Sequence, residues 1–473
     1  MSAHLKKPIL LLLLIALYFA VRVPLASSPL YGEEGIFADQ FANRPAGPDY
    51  LLMGRVDGAK IYAPPRHPAP IYKTIEVAGS LGSGFLPANL ENDSSVTPPL
   101  RLMFSIFQLV IWIGLCAYLL YGKSAPENRV LLGIIAGVIV APIAVVTSLQ
   151  LQVDGSVGVI MNGLLALVLM VRARNDHPGR WFLPALFLST VFLSTGKQEW
   201  TIVLSIAVVM WAGYLVLARL KWQESVSAEF GMIAIILLGM FLGHLHSFSV
   251  DPENYLGGMG IIVRMTHTQT VASDAAGADW LKRTSRRLPM LLTPIALIVA
   301  IGTLAVFQLK RIKPTHVFLA LFGFGLFGAF FVSNWETDPR YFAPSLAVLT
   351  MSVVSLFPDY LPKRLGFVMV GIAIFMFGHT AKDFYNGRKM VCEPNWLAHG
   401  TQQQPGSLLI LSTAQGWNKP GVDFAGSSLG FEGAQDFASQ YVKNVHKPVL
   451  GEPKPEPIQQ AGLPQSKQDA AKR

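Results

Sequence analysis

The chain has few charged residues for its length. Only 14% of its 473 residues are Asp, Glu, Lys or Arg, whereas 52% are hydrophobic. This composition is too apolar for an ordinary soluble domain. The apolar residues also form long blocks, and blocks of roughly 20 residues with few charges predict transmembrane helices.

Cysteine is scarce as well, with one residue in an apolar run (Cys116) and one near the C-terminus (Cys392). This pair does not indicate a disulfide framework. The familiar motifs of soluble enzymes are missing, since the sequence contains no P-loop, no GxSxG and no HExxH. The sequence also shows no internal repeat, which disfavours an inverted-repeat transporter.

The length of the apolar blocks predicts an all-α polytopic membrane protein with about eleven transmembrane helices. The first block follows Lys6 and Lys7 and resembles a signal peptide, but Arg22 inside it favours a retained helix. The predicted spans are 7–25, 101–121, 129–149, 155–172, 181–196, 200–219, 230–248, 288–309, 315–333, 340–357 and 364–380.

The net charge of +9 is explained by the topology. If the spans alternate in direction, the basic loops all fall on the side of the N-terminus, and the positive-inside rule makes that side cytoplasmic. The net positive charge therefore does not require a nucleic-acid partner. We expect a multi-pass protein of a bacterial inner membrane, surrounded by membrane lipids, with a cytoplasmic N-terminus and a periplasmic C-terminus.

This topology divides the chain into a transmembrane domain, residues 1–380, and a tail outside the membrane. The domain would include two large periplasmic loops, 26–100 and 249–287. An amphipathic stretch in the first of them, EEGIFADQFANR, predicts helices that lie along the membrane interface. Residues 381–446 would form a small periplasmic region, and the Pro-, Gln- and Lys-rich residues 447–473 read as disordered.

Three acidic residues are placed at the outer surface by the predicted topology. Glu33 and Glu34 are adjacent, so their mutual repulsion should raise one pKa, and such a carboxylate can act as a general base. The alternative is a pair of acids at the N-terminal end of a helix. Asp154 falls in a short outer turn, where the alternative is a helix cap before Gly and Ser.

Two cations share that predicted surface. Lys197 lies at another outer turn, where an ionisable residue is either functional or simply extends to the interface. Arg340 and Tyr341 begin a later span, and the planar guanidinium suits a phosphate. A salt bridge between Arg340 and either Glu336 or Asp338 is the alternative.

The order of these residues resembles the GT-C membrane glycosyltransferases. This family includes protein O-mannosyltransferases, lipid A aminoarabinose transferases and bacterial enzymes that use polyprenyl-phosphate sugars. Two positions depart from its pattern, Glu33 where the family commonly has Asp, and Ala69 where its His-Pro-Pro motif has Pro. The residues that carry the resemblance are Arg22, Glu33, Glu34, His67, Asp154, Lys197, Arg340, Tyr341 and Pro344.

The resemblance implies an inverting transfer of a sugar from a polyprenyl-phosphate donor to a lipid, glycan or protein acceptor at the outer membrane face. It makes Glu33 the base, supported by Glu34 and Asp154. The residues it assigns to the donor and its phosphate are His67, Lys197, Arg340 and Tyr341.

Several alternatives remain open from the sequence. Acidic residues could hold a divalent metal ion with the phosphate, although the ligand set is incomplete. A transporter or flippase of a lipid-linked or small anionic substrate would also explain many spans and intramembrane charges. A scaffold protein, or an oligosaccharide polymerase or ligase, would be further candidates.

Overall fold

The structure of the chain is a computed structural model that describes part of the sequence, all of it within the contact unit Met1–Phe431. The second predicted periplasmic loop and the tail fall mostly or wholly outside the described residues, as do span 364–380 and most of loop 26–100. The described residues are 3–23, 26, 55–56, 59–60, 97–121, 127–149, 153–175, 179–222, 226–250, 252, 255–256, 277–332 and 339–358.

The regular elements among the described residues are helices and one short pair of antiparallel strands, β1 (Arg55–Val56) and β2 (Ala59–Lys60). This pair lies in the first loop, where the sequence predicts helices elsewhere. The helices are α1 (Ala3–Arg22), α2 (Thr97–Tyr121), α3 (Glu127–Val140), α4 (Pro142–Leu149), α5 (Gly158–Arg174), α6 (Phe182–Ser194), α7 (Gln198–Trp222), α8 (Ser227–Val250), α9 (Gly277–Phe307), α10 (Pro314–Val332) and α11 (Ala343–Leu356).

Shorter helical turns join some of these helices. A π-helical turn, which we call the π-turn, covers Val153–Val157 and runs directly into α5. A 3₁₀ turn, Pro339–Phe342, precedes α11, and another, Leu309–Arg311, follows α9.

Helices occupy each predicted span that the structure describes, but not always as one straight helix. The predicted span 129–149 is two helices, α3 and α4, bent by 53° at Ala141. Pro142 begins the second helix because proline lacks an N–H and cannot continue the first. Among the described residues, four helices (α2, α5 with the end of the π-turn, α7 and α8) are long and apolar enough to cross a membrane, or five if the bent pair is one span.

Helix α11 is the core of the bundle, since all of its residues are buried. It packs against α5, α9 and α10. The approach of α10 is close at Gly323, where an added Cβ would lie 2.9 Å from Leu349 Cδ2. Small residues of this kind let helices approach in an apolar environment.

A second close contact joins α6 to α8. An added Cβ on Gly239 would lie 2.9 Å from Thr190 Cβ, and one on Gly243 would lie 2.6 Å from Ser194 Cβ. These two glycines are four residues apart and therefore share one face of α8. The pair holds the end of α6 in place, and this end leads to Lys197.

Side chains from three neighbouring segments cap the C-terminal carbonyls of α11. Arg174 Nη1 donates to Val354 O at 2.7 Å, and His316 Nε2 donates to Ser355 O at 3.1 Å. Gln308 donates to Leu356 O. The last carbonyls of a helix lack partners in the helix itself, so these donors satisfy them at the end predicted to be cytoplasmic.

Candidate functional site

The π-turn carries Asp154 against α4. Gly155 makes this approach possible, because a Cβ there would overlap Thr147 O. The turn is also held by hydrogen bonds, from Ser156 Oγ to Ser148 O at 3.2 Å and from Gln108 Nε2 to Gly155 O at 3.4 Å. Asp154 is therefore not in a simple loop or at a standard helix cap, as the sequence suggested, but within a helical turn that is anchored on both α2 and α4.

Lys197 lies between α6 and α7 and is 5% exposed. The turn before it closes through Gly196 N, which donates to Leu193 O at 2.9 Å. Lys197 O in turn accepts from Trp200 N at 3.2 Å, in the first turn of α7. The ammonium group is thus carried on a short, hydrogen-bonded connection rather than on a long loop.

The Lys197 ammonium faces an aromatic ring. Its Nζ is 5.0 Å from the centroid of the Tyr341 ring, and Tyr341 is itself buried. An ammonium within about 6 Å of a ring centroid is attracted by the ring quadrupole. Two residues that are 144 positions apart in the sequence therefore form one cation–aromatic pair.

Tyr341 is positioned by the 3₁₀ turn that precedes α11. The next residue, Phe342, packs its ring on Phe327 of α10 at a centroid distance of 5.5 Å. This contact fixes the turn between two helices. Arg340 lies in the same turn, but its side chain is outside the described part of the structure.

Trp200 lies where the π-turn, the first turn of α7 and the start of α11 come together. A Cβ added to Gly158, the first residue of α5, would lie 2.8 Å from Trp200 Cζ2 and 2.9 Å from Pro344 Cγ. The π-turn, the first turn of α7 and the start of α11 consequently meet at one end of the bundle. The π-turn also contacts the 3₁₀ turn that carries Arg340 and Tyr341.

The chain leaving α1 is tied to the same end. Arg101, a buried residue near the start of α2, donates from Nη1 to Ala26 O at 3.1 Å. Glu33, Glu34 and His67 follow along the chain and lie outside the described residues. Their assignment to this site, like those of the Asp154 and Arg340 side chains, stays a prediction.

Several buried polar atoms near these segments were not singled out from the sequence. Gln198 donates from Nε2 to Tyr255 O at 2.9 Å, but its Oε1 has no hydrogen-bond partner among the described residues. Within the same described part of the chain, Trp200 Nε1 and Gln108 Oε1 are also buried without a partner. Such groups are costly unless something polar reaches them. In the sequence, the two glutamines are marked only as polar residues within or beside an apolar run. This signal does not distinguish a residue of a functional site from one that ends a helix.

No cluster of metal-ligating residues is found in the described part of the chain. A group of three or more His, Cys, Asp or Glu side chains able to hold a metal ion is not present there. The side chains of Glu33, Glu34 and Asp154 lie outside this part of the chain.

Comparisons with known proteins were made against family models, curated proteins and solved structures. No family model and no curated protein matches the chain. A solved structure does, that of the aminoarabinose transferase ArnT from Cupriavidus metallidurans in the apo state, with a TM-score of 0.50 and 14% sequence identity. The match covers 94% of this chain and 75% of that one.

The chain shares the fold of this solved structure, as the resemblance to GT-C enzymes in the sequence led us to expect. At 14% identity the likeness speaks for the fold alone. Within this fold, Lys197, Tyr341 and the backbone of Asp154 lie at one end of the described helices.

Because the π-turn lies so close to α4, we expect Gly155→Ala to destabilise the fold strongly. The new methyl group would meet Thr147 O, a backbone atom that cannot rotate away. We expect a loss of about 1–3 kcal/mol, typical of overpacking, seen as a lower midpoint of thermal unfolding in detergent.

Gly133→Ala is the matched control, because a Cβ there meets no atom within 4 Å. In an exposed helix position the change from Gly to Ala should stabilise slightly, by roughly 0.5–1 kcal/mol. Equal midpoints for the two variants would show that the π-turn does not depend on its contact with α4.

Proposed function

We propose that the protein is an inverting glycosyltransferase that moves a sugar from a polyprenyl-phosphate donor to a lipid, glycan or protein acceptor. The observation that carries this proposal is the buried Lys197–Tyr341 pair beside the π-turn of Asp154, within a GT-C fold. A cation and a carboxylate-bearing turn at one end of a helix bundle suit a reaction that releases a lipid phosphate while a proton is removed from the acceptor.

The donor phosphate would be bound by Lys197 and Arg340. In the reaction the bond between the anomeric carbon and the phosphate oxygen breaks, and negative charge develops on the leaving phosphate. Cations held in position would stabilise this charge. Tyr341 would hold the Lys197 ammonium in place, and His67 would contribute to binding of the donor.

The acceptor would be activated by a carboxylate. We assign the base to Glu33, with Glu34 and Asp154 in support, because Glu33 matches the first acid of the pair that GT-C enzymes carry. The base takes the proton of an acceptor hydroxyl or amine as that group attacks the anomeric carbon. Attack opposite the departing phosphate inverts the configuration of the sugar.

A transporter or flippase is the second candidate, and one observation favours it. The bent pair α3–α4 is a broken helix, a feature that transporters use to build binding sites at mid-membrane depth. Here the Arg22 side chain occupies the break and donates to Ile139 O on one side and Ala144 O on the other. Substitutions of Glu33, Glu34 and Asp154 distinguish the transferase from the transporter.

The first prediction of this proposal concerns phosphate binding. Lys197→Gln should weaken binding of a polyprenyl-phosphate sugar, since one contact to a charged group contributes about 1.5–3 kcal/mol. The measurement is donor affinity by titration calorimetry of the purified protein in detergent.

The control for this experiment is Lys310→Gln, which removes an exposed cation at the opposite end of the bundle. It should bind the donor as the unmodified protein does. If the Lys197 variant binds equally well, the Lys197–Tyr341 pair is a structural contact and not part of a phosphate site.

The acids generate the second prediction. Glu33→Gln keeps the size of the side chain but cannot accept a proton, so turnover should fall by about 10²–10⁴-fold while donor binding survives. Asp154→Asn should be impaired for the same reason. Transfer of a radiolabelled sugar from the lipid donor measures both.

Turnover near the normal rate in a variant that combines Glu33→Gln, Glu34→Gln and Asp154→Asn would contradict the chemical assignment. Movement of the labelled lipid across proteoliposome membranes, unaffected by these substitutions, would then establish the transporter. A protein that does neither would be a scaffold.

The third prediction concerns orientation, which we propose places this end of the bundle in the periplasm. Gly58→Cys and Ser407→Cys, introduced into a chain without its native cysteines, should react with an impermeant maleimide in intact cells. Lys310→Cys, at the end with the basic loops, should react only after the membrane is opened. The reverse pattern would invert the topology.

A further inference from the structure

Arg22, the last residue of α1, is fully buried, and the proposed chemistry does not use it. Its guanidinium lies over the Tyr18 ring, with Cζ 3.5 Å from the centroid. It also donates four hydrogen bonds, from Nε to Ser148 Oγ at 2.7 Å and from its terminal nitrogens to three backbone carbonyls. These carbonyls, each at 3.1 Å, belong to Tyr18, Ile139 and Ala144.

The position of the Ile139 carbonyl helps to explain why a cation can be buried here. Helix α3 ends at Val140 and α4 begins at Pro142, so the carbonyl of Ile139 belongs to the last turn of a helix. The last carbonyls of a helix lack helical partners and carry the negative end of the helix dipole. The planar fork of arginine can reach both helices at once, which the single ammonium group of lysine cannot.

Hydrogen bonds continue from Arg22 to the π-turn. Ser148, which accepts from Arg22 Nε, is also the residue whose carbonyl accepts from Ser156 Oγ. A parallel set of bonds begins at Gln108, which donates to Thr147 Oγ1 and to Gly155 O, both at 3.4 Å. The two residues after Asp154 are therefore fixed to α4, and α4 is fixed to Arg22.

We propose that Arg22 is a positioning residue, which locks the α3–α4 bend and thereby holds the π-turn that presents Asp154. Its catalytic consequence rests on the proposed function, whereas its effect on the π-turn does not. Arg22 acts through Ser148 and touches neither donor nor acceptor.

Hydrogen exchange measured by mass spectrometry tests this link without any substrate. In Arg22→Met, the amides of 153–157 should exchange faster by about tenfold or more, the factor that loss of one hydrogen bond to a charged group gives in an opening equilibrium. Arg22→Lys should restore little of the slow exchange in 153–157, because lysine keeps the charge but lacks the planar fork of arginine. Exchange in α8 should stay unchanged and so report that the fold persists.

Arg174→Met is the matched control. Arg174 also caps a helix C-terminus, but it does so on Val354 at the other end of the bundle. Its loss should speed exchange near 354–358 and leave the π-turn as it is. Ser148→Ala, which keeps Arg22 but removes its hydroxyl acceptor, gives a milder test if Arg22→Met does not fold, and it should speed exchange in the π-turn alone.

Unchanged exchange in the π-turn in the Arg22 variants and in Ser148→Ala would overturn the proposal, even if thermal stability fell. The kinetic readout is separate. If loss of Arg22 displaces Asp154 by up to about 1 Å, kcat for sugar transfer should fall by on the order of 10²-fold. The KM for the donor should stay near normal. If the Arg22 variants exchange faster in the π-turn but even the unmodified protein transfers no sugar, the proposed function is refuted and the positioning role of Arg22 stands.

Discussion

Every interruption of a helix in an apolar environment leaves backbone carbonyls that need donors, and this constraint organises the described structure. A carbonyl that is buried away from water must take its donor from a side chain. Arg22 does this at the break between α3 and α4, and Arg174, with His316, does it at the end of α11. Buried polar residues in this bundle are therefore located mainly where helices end, and the irregular segments of the candidate site depend on them.

Close contacts hold the segments of the candidate site in place. The π-turn approaches α4 as closely as a glycine allows, and Lys197 is carried on a short connection with its ammonium group over Tyr341. Groups that are already oriented lose little freedom when charge develops near them, and this is the usual source of electrostatic stabilisation in enzymes. A loop-mounted lysine would have to be ordered by the substrate at a cost in binding energy.

The sequence predicted the helices well because long apolar blocks have few alternatives to a membrane helix. It predicted residues 129–149 as one span, although Pro142 already marked the break, because hydropathy does not register a bend. It placed Asp154 in a turn, since nothing in VDGSV distinguishes a π-helical turn from a loop. The pairing of Lys197 with Tyr341 could not be derived, because contacts between distant residues depend on helix packing. Arg22 was noticed as a charge inside the first apolar block and as a position in a family pattern. Its partners could not be derived, because three of its four hydrogen bonds go to backbone carbonyls that no sequence motif records.

Helix α11 has no lipid-facing surface in the finished bundle, yet it contains four hydroxyl side chains. Each hydroxyl is bonded to the backbone of its own helix or of the turn just before it. These four hydroxyls therefore need no polar partner from α5, α9 or α10, and the neighbouring helices can pack against them by shape alone.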